Sequence, residues 1–146
     1  LPASYGVKAD GFWRGRYRDM NAFEKHQVRN GTLILKFFLH LSKGEQKKRL
    51  LARLEDENKH WKFSLGDLEE RKYWKEYTRA YEEMIEETST TYAPWFIVPA
   101  DFKWVARSIV AETVATAIKG LRLSYPTVTE EERQALMEAK KRLEAE

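Results

Sequence analysis

The chain has 146 residues, 42% of them hydrophobic, which is enough for one packed core and excludes a disordered polymer. Charged residues reach 34% while the net charge is only +3. Acids and bases are interleaved, unlike the single concentrated basic face of a nucleic-acid binder. There is no cysteine, so disulfides, thiolate nucleophiles and zinc–thiolate centres are excluded, and a cytoplasmic setting fits.

Residues 1–10 read as irregular, broken by Pro2 and Gly6, without the apolar stretch of a signal peptide. The start at Leu1 rather than Met reads as a processed, trimmed or partial N-terminus. A helix is expected over Phe12–Arg29, with Trp13, Tyr17, Met20, Phe23 and Gln27 on one face, stopped by Asn30-Gly31. Residues 32–41, TLILKFFLHL, read as a parallel strand covered on both faces. Ser42, with Glu45 three residues later, opens a helix over 43–56 through a capping box. Its Leu50 and Leu54 are expected inward, and Lys47, Lys48, Arg49 and Arg53 mostly outward.

A polar, aromatic connection follows over 56–67, and a helix from Ser64 or Asp67 to about Glu87 carries the stripe Tyr73, Trp74, Tyr77, Tyr81, Met84 and Ile85. That stripe reads as core rather than as a stacking box. After a loop over 88–94, Trp95–Pro99 reads as a second buried strand. Asp101 is expected to cap a helix over 102–119, ended by Gly120, and Thr129 with Glu132 to cap a last helix over 129–146. No internal repeat is present, and the longest apolar runs are too short to span a bilayer.

Two buried strands joined by long helical crossovers predict an α/β fold with a parallel sheet and flanking helices, mostly helical. Two strands are too few for such a sheet, so the 146 residues read as a single partial domain. The missing strands would come from an upstream N-terminal half or a partner chain. An exposed sheet edge also predicts docking or homo-oligomerisation.

The strongest chemical constellation is Arg49 and Arg53, one helical turn apart, followed by a polar stretch bearing Lys59, His60, Trp61, Lys62 and Ser64. Cations that arrive around a phosphate chain, exclude water and neutralise developing charge are what phosphoryl transfer requires. A solvated basic helix face gives the same spacing. His26, His40 and His60 lie far apart without metal-ligand spacing, and Glu24 reads as a helix-face carboxylate beside Arg16 or Lys25. Trp61 fits a base-stacking residue and a fold-down latch equally.

Residues 16–110 resemble the second half of the polyphosphate kinase 2 family. The likeness is carried in order by Asn21-Ala22-Phe23-Glu24, Lys36-Phe37-Phe38-Leu39-His40, Glu45-Gln46 with Arg49 and Arg53, and Trp61-Lys62-Phe63-Ser64 with Asp67. Tyr77, Thr88-Ser89-Thr90, Ala93-Pro94-Trp95, and Ala100-Asp101 with Lys103 and Arg107 continue it.

This resemblance implies a three-layer P-loop kinase fold similar to thymidylate kinase. It implies transfer of phosphate between inorganic polyphosphate and adenine or other nucleotides, AMP or ADP among them, with Mg²⁺. It places a lid at about 49–67, with Arg49 and Arg53 as catalytic cations on the phosphates. Arg16, Lys59 and Lys62 would hold the polyanion, and Asp101, Lys103 and Arg107 the nucleotide side. The family's Gly-rich Walker loop and magnesium-associated carboxylates are not in the sequence: neither GxxxxGK[ST] nor Gly-x-Asp-x-x-Gly-Lys occurs. No metal ligand is therefore assigned to these residues, and the segment alone is expected to be inactive. The competing expectation is a non-catalytic or degenerate domain that binds polyphosphate or nucleotide. A nucleic-acid-binding helical domain, motivated by Arg14, Arg16 and Arg18, is weaker still.

Overall fold

The computed structural model describes residues 11–146; the irregular stretch expected over 1–10 lies outside the described residues. The chain divides into two compact units, one up to Val114 and one over 115–146. No described helix is long and apolar enough to cross a membrane.

In the first unit α1 spans Phe12–Arg29, as expected, and ends in a Schellman cap. Gly31 takes φ 86°, its N–H donates to Val28, and the Thr32 N–H reaches back to Gln27. The buried stripe differs from the apolar spacing. Trp13, Met20 and Phe23 are exposed, whereas Tyr17, Asn21 and Glu24 turn inward toward the later helix α4 (Trp74–Thr88). Polar groups decide the rotation: Asn21 donates to the Glu87 carbonyl at 2.8 Å, and the Tyr92 hydroxyl donates to the Asn21 carbonyl at 3.0 Å.

Strand β1 is shorter than its apolar run, Lys36–His40, and pairs in parallel with β2, Trp95–Pro99. The register sets Lys36 opposite Trp95 and His40 opposite Pro99. The two faces of the pair carry different partners, because side chains alternate along a strand. Phe37, Phe96 and Val98 pack against Ala106, Ile109 and Val110 of α5 (Lys103–Gly120). The opposite face sets Phe38 against Tyr81 of α4, centroids 5.3 Å apart. The result is helix, sheet, helix: the three-layer α/β arrangement expected. Cover on both faces is incomplete, however, with Leu39 55% and Ile97 60% exposed. Helices lie over only part of each face of a two-stranded sheet.

One polar network holds the N-terminal ends of the strands. Lys36 pairs with Glu24 at 2.7 Å and donates to the Thr88 carbonyl at 2.7 Å. The Thr88 hydroxyl, fully buried, donates to the Met84 carbonyl at 2.5 Å and accepts from the Trp95 indole at 2.9 Å. Glu24 thus answers Lys36 across the fold rather than Arg16 or Lys25 on its own helix.

Helix α2 spans Lys43–Leu54, shorter than expected, with Leu50 inward but Leu54 turned out. Only half of the expected capping box forms. The Ser42 hydroxyl accepts from the Glu45 N–H at 3.1 Å, but Glu45 turns to Arg49. Beyond it the chain makes a 3₁₀ turn over Glu57–Lys62 and a short α3 over Leu65–Glu70. The long helix expected from 64 to 87 is interrupted by a 3₁₀ turn at Arg71–Tyr73 before α4.

The second unit holds the end of α5 and α6, Glu130–Glu144, whose capping box of Thr129 and Glu132 is complete. The left-handed residue after α5 is Arg122, at φ 50°, rather than Gly120, which stays within the helix. The Arg122 N–H donates to the Lys119 carbonyl and closes the turn that ends the helix.

Candidate active site

In a parallel sheet the C-terminal strand ends face the same way, and loops there converge on ligands. Here β1 and β2 end side by side at His40 and Pro99. Beside them lies an open groove of about 910 Å³, walled by β1, α2, α3 and α4. One wall is aromatic, with Phe38, Trp74, Tyr77 and Tyr81. Another is cationic, with Arg49, Arg53 and Arg71, and Asp67, Glu70 and Glu82 complete the rim. The tyrosine-bearing stripe of α4 therefore lines an opening instead of closing a core: Tyr77 is 37% and Tyr81 44% exposed.

The α2 arginines differ in what they hold. Arg49 Nε pairs with Glu45 at 2.9 Å, and its Nη2 donates to the Ala100 carbonyl at 2.7 Å and the Asp101 carbonyl at 3.0 Å. It binds α2 to the end of β2. Arg53, one turn further along the same face, is half-buried in the groove wall and has no hydrogen-bond or ion-pair partner among the described residues. A guanidinium held there without a partner is free to meet an anion.

Asp101 sits where the two strands end. Its carboxylate accepts the Ser42 N–H at 2.8 Å, so it serves the start of α2 rather than capping α5. The Ser42 backbone N–H and then its hydroxyl hold the Asp101 carboxyl below its ordinary value, with Arg49 and His40 adding attraction. A depressed carboxylate stabilises the fold above the unfolded-state value of about 3.9 and loses that contribution as pH falls through the folded value. The difference in urea midpoint between wild type and Asp101→Ala is therefore expected to be full at neutral pH and to close below about pH 4. A difference independent of pH would mean that the carboxylate's charge does not matter.

The remaining sequence-derived candidates do not all converge. Lys103 and Arg107 project, exposed, from the first turns of α5, directly after Asp101. Lys59 pairs with Asp56, and Lys62 lies over the Trp61 ring at 4.8 Å; both are on the exposed 3₁₀ turn and outside the groove lining. Trp61 is 79% exposed, its indole donating to the Asn58 carbonyl at 3.0 Å. Arg16 stacks over Phe12 at 5.3 Å on α1 and is not part of the groove. Arg71 and Tyr77 of the groove were not among the sequence-derived site candidates, and Tyr77 was expected in a core stripe. Arg71 stands at the helix interruption. The Tyr77 hydroxyl donates to Glu70, which, with desolvation, pushes the phenol above its ordinary value and keeps it a donor. The Arg71 signal was the charged tripeptide at 70–72, which reads only as a solvated surface.

The family model described as Polyphosphate kinase 2 matches residues 4–125. The chain belongs to the polyphosphate kinase 2 family. Among its relatives is the ADP-polyphosphate phosphotransferase of Rhodopseudomonas palustris, 49% identical over 90% of this chain and 46% of that protein. A protein encoded in the chlN 3′ region of Leptolyngbya boryana is 50% identical over 92% of this chain and 98% of that protein. The crystal structure of polyphosphate kinase 2 from Arthrobacter aurescens TC1 superposes with a TM-score of 0.82 at 44% identity, covering 92% of this chain and 48% of that one. The chain thus spans about half the length of the phosphotransferase and of the solved kinase, and nearly all of the Leptolyngbya protein. The three-layer arrangement seen here is that of a polyphosphate kinase 2 structure over the shared part. The α2 arginines, the groove and the exposed turn all lie within the matched residues, whereas α6 lies beyond them.

Proposed function

We propose that this chain forms the lid-bearing half of a polyphosphate-dependent nucleotide phosphotransferase. It would move phosphoryl groups between inorganic polyphosphate and adenine nucleotides. The observation that carries this reading is the row of cations along one face of α2, above the ends of two parallel strands. Arg49 fixes the helix to β2, and Arg53 is free to receive a phosphate. Lys59 and Lys62, on the exposed turn, would follow the polyanion as the flap over 49–67 closes, and Arg16 would meet it at the channel mouth. Lys103 and Arg107, behind Asp101, would attend the nucleotide.

Transfer of a phosphoryl group spreads charge over its equatorial oxygens, and fixed guanidinium groups offset that charge without reorganisation. The cradle for the other phosphates would come from residues outside this chain, because no Walker-type Gly-Lys motif occurs in it. Magnesium chemistry is assigned to those residues too. No three His, Asp or Glu side chains gather as ligands among the described residues, and Asp101 is engaged by Ser42.

The test is ATP formation from ADP and long-chain polyphosphate, with the chain alone and with a Walker-loop half of a polyphosphate kinase 2 added. Silence alone and turnover in the mixture are expected. Turnover by the chain alone would refute the half-site. Silence in the mixture, with polyphosphate still retained by the chain, would instead favour a binding domain without catalysis.

A further inference from the structure

We propose that Arg71 is a positioning residue: a latch that docks the returning end of the flap onto the arginine face of α2. This rests on the flap reading given above.

Gln46, Arg49 and Arg53 are spaced three and four apart, so they share one face of α2. Arg71 Nη1 donates to the Gln46 side chain and Nη2 to the Lys43 carbonyl at 3.2 Å. Its guanidinium also lies 6.0 Å from the centre of the Trp74 ring, at the first residue of α4. Arg71 therefore touches the N-terminal end of the stripe that carries Arg49, the tie to β2, and Arg53, the proposed phosphate ligand. The part of the flap beyond α2, carried on through α3 to residue 70, is fastened to α2 at both ends. Near its start, His60 Nε2 meets the Leu54 carbonyl at 2.8 Å, at the C-terminal end of α2. At its return, Arg71 grips the first turns of α2. Most other polar contacts of the segment are local: Lys59 with Asp56, Trp61 with Asn58, and Lys72 with Glu69. The interruption of the helix at Arg71–Tyr73 puts this grip at the point where the backbone can bend.

Both terminal nitrogens are spent on α2, so Arg71 acts through the position of the flap rather than on a phosphate. A latch of this kind raises the population of the flap seated on α2, the binding-competent state from which it closes. Its loss weakens apparent affinity by the fall in that population, while a saturating ligand restores the seated state.

The test compares Arg71→Ala, Arg71→Lys and Gln46→Leu in the full chain by hydrogen exchange. Amides over 55–70 are expected to exchange about tenfold faster in Arg71→Ala and Gln46→Leu. Amides of α1, β1 and β2 should be unchanged, and Arg71→Lys should fall between. Unchanged exchange over 55–70 in Gln46→Leu, which leaves the charge intact, would overturn the latch even if Arg71→Ala failed to fold. In the chain supplemented with a Walker-loop half, KM for polyphosphate should rise about tenfold in Arg71→Ala with kcat within about twofold. A fall in kcat at unchanged KM would also overturn it. If the supplemented wild type shows no turnover, the functional reading fails, and the exchange measurement still decides the latch.

Discussion

Lys36→Met will cost the fold about 3–5 kcal/mol, the range for removing one partner of a buried ion pair. The Lys36 and Glu24 side chains are only 10% and 13% exposed, so water screens little of the carboxylate left behind. The Thr88 carbonyl loses its donor in the same step. Domains are typically stable by about 5–15 kcal/mol, so a large part of the margin would go. The core cannot compensate: among the described residues, the buried apolar side chains are Leu50, Ala93, Val98, Ala100 and Ala106, three of them alanines. Urea unfolding measures the loss. Replacing both partners, as Lys36→Met with Glu24→Leu, should recover most of it, because an apolar pair of similar volume is commonly neutral or better. A single-variant loss within about 1 kcal/mol would place the pair among water-screened surface bridges.

Arg53→Ala will leave stability within about 0.5 kcal/mol of wild type, as expected for a side chain without partners. It will nevertheless lower kcat about 10²–10³-fold in the chain supplemented with a Walker-loop half, the usual cost of removing one preorganised charge from a transition state. Arg49→Ala behaves differently. It leaves the Ala100 and Asp101 carbonyls without their donor, so about 1–3 kcal/mol of stability should fall together with activity. Unfolding curves and steady-state kinetics on the two single variants separate the roles. Undiminished turnover in Arg53→Ala would remove it from the site.

Much of the skeleton was legible because it rests on local signals. The Asn30-Gly31 stop, the Thr129/Glu132 box and the start of α2 at Ser42 each need only a few adjacent residues. The arginine pair was legible for the same reason, since helical spacing alone places two side chains on one face. What the sequence hid are choices made by distant partners. The facing of α1 follows Glu87 and Tyr92, not its own apolar stripe. Asp101 sits at a helix start, where a carboxylate normally caps, yet it answers the start of a different helix fifty-nine residues earlier. Arg71 lies in a run of charges that reads as surface, and only the fold brings Gln46 beneath it. The helix interruption at Arg71–Tyr73 had no glycine or proline to announce it.

The lysine at the head of β1 has a further consequence. In a run as uniformly apolar as TLILKFFLHL, side-chain alternation barely distinguishes one alignment with β2 from the next. Sliding β1 by a single residue would carry the ammonium group roughly 3.3 Å along the strand. Glu24 and the Thr88 carbonyl are anchored on two different helices, and neither would follow. A solitary charge thus selects among alignments that greasy neighbours leave degenerate, so Lys36 variants should populate shifted pairings as well as unfold more readily.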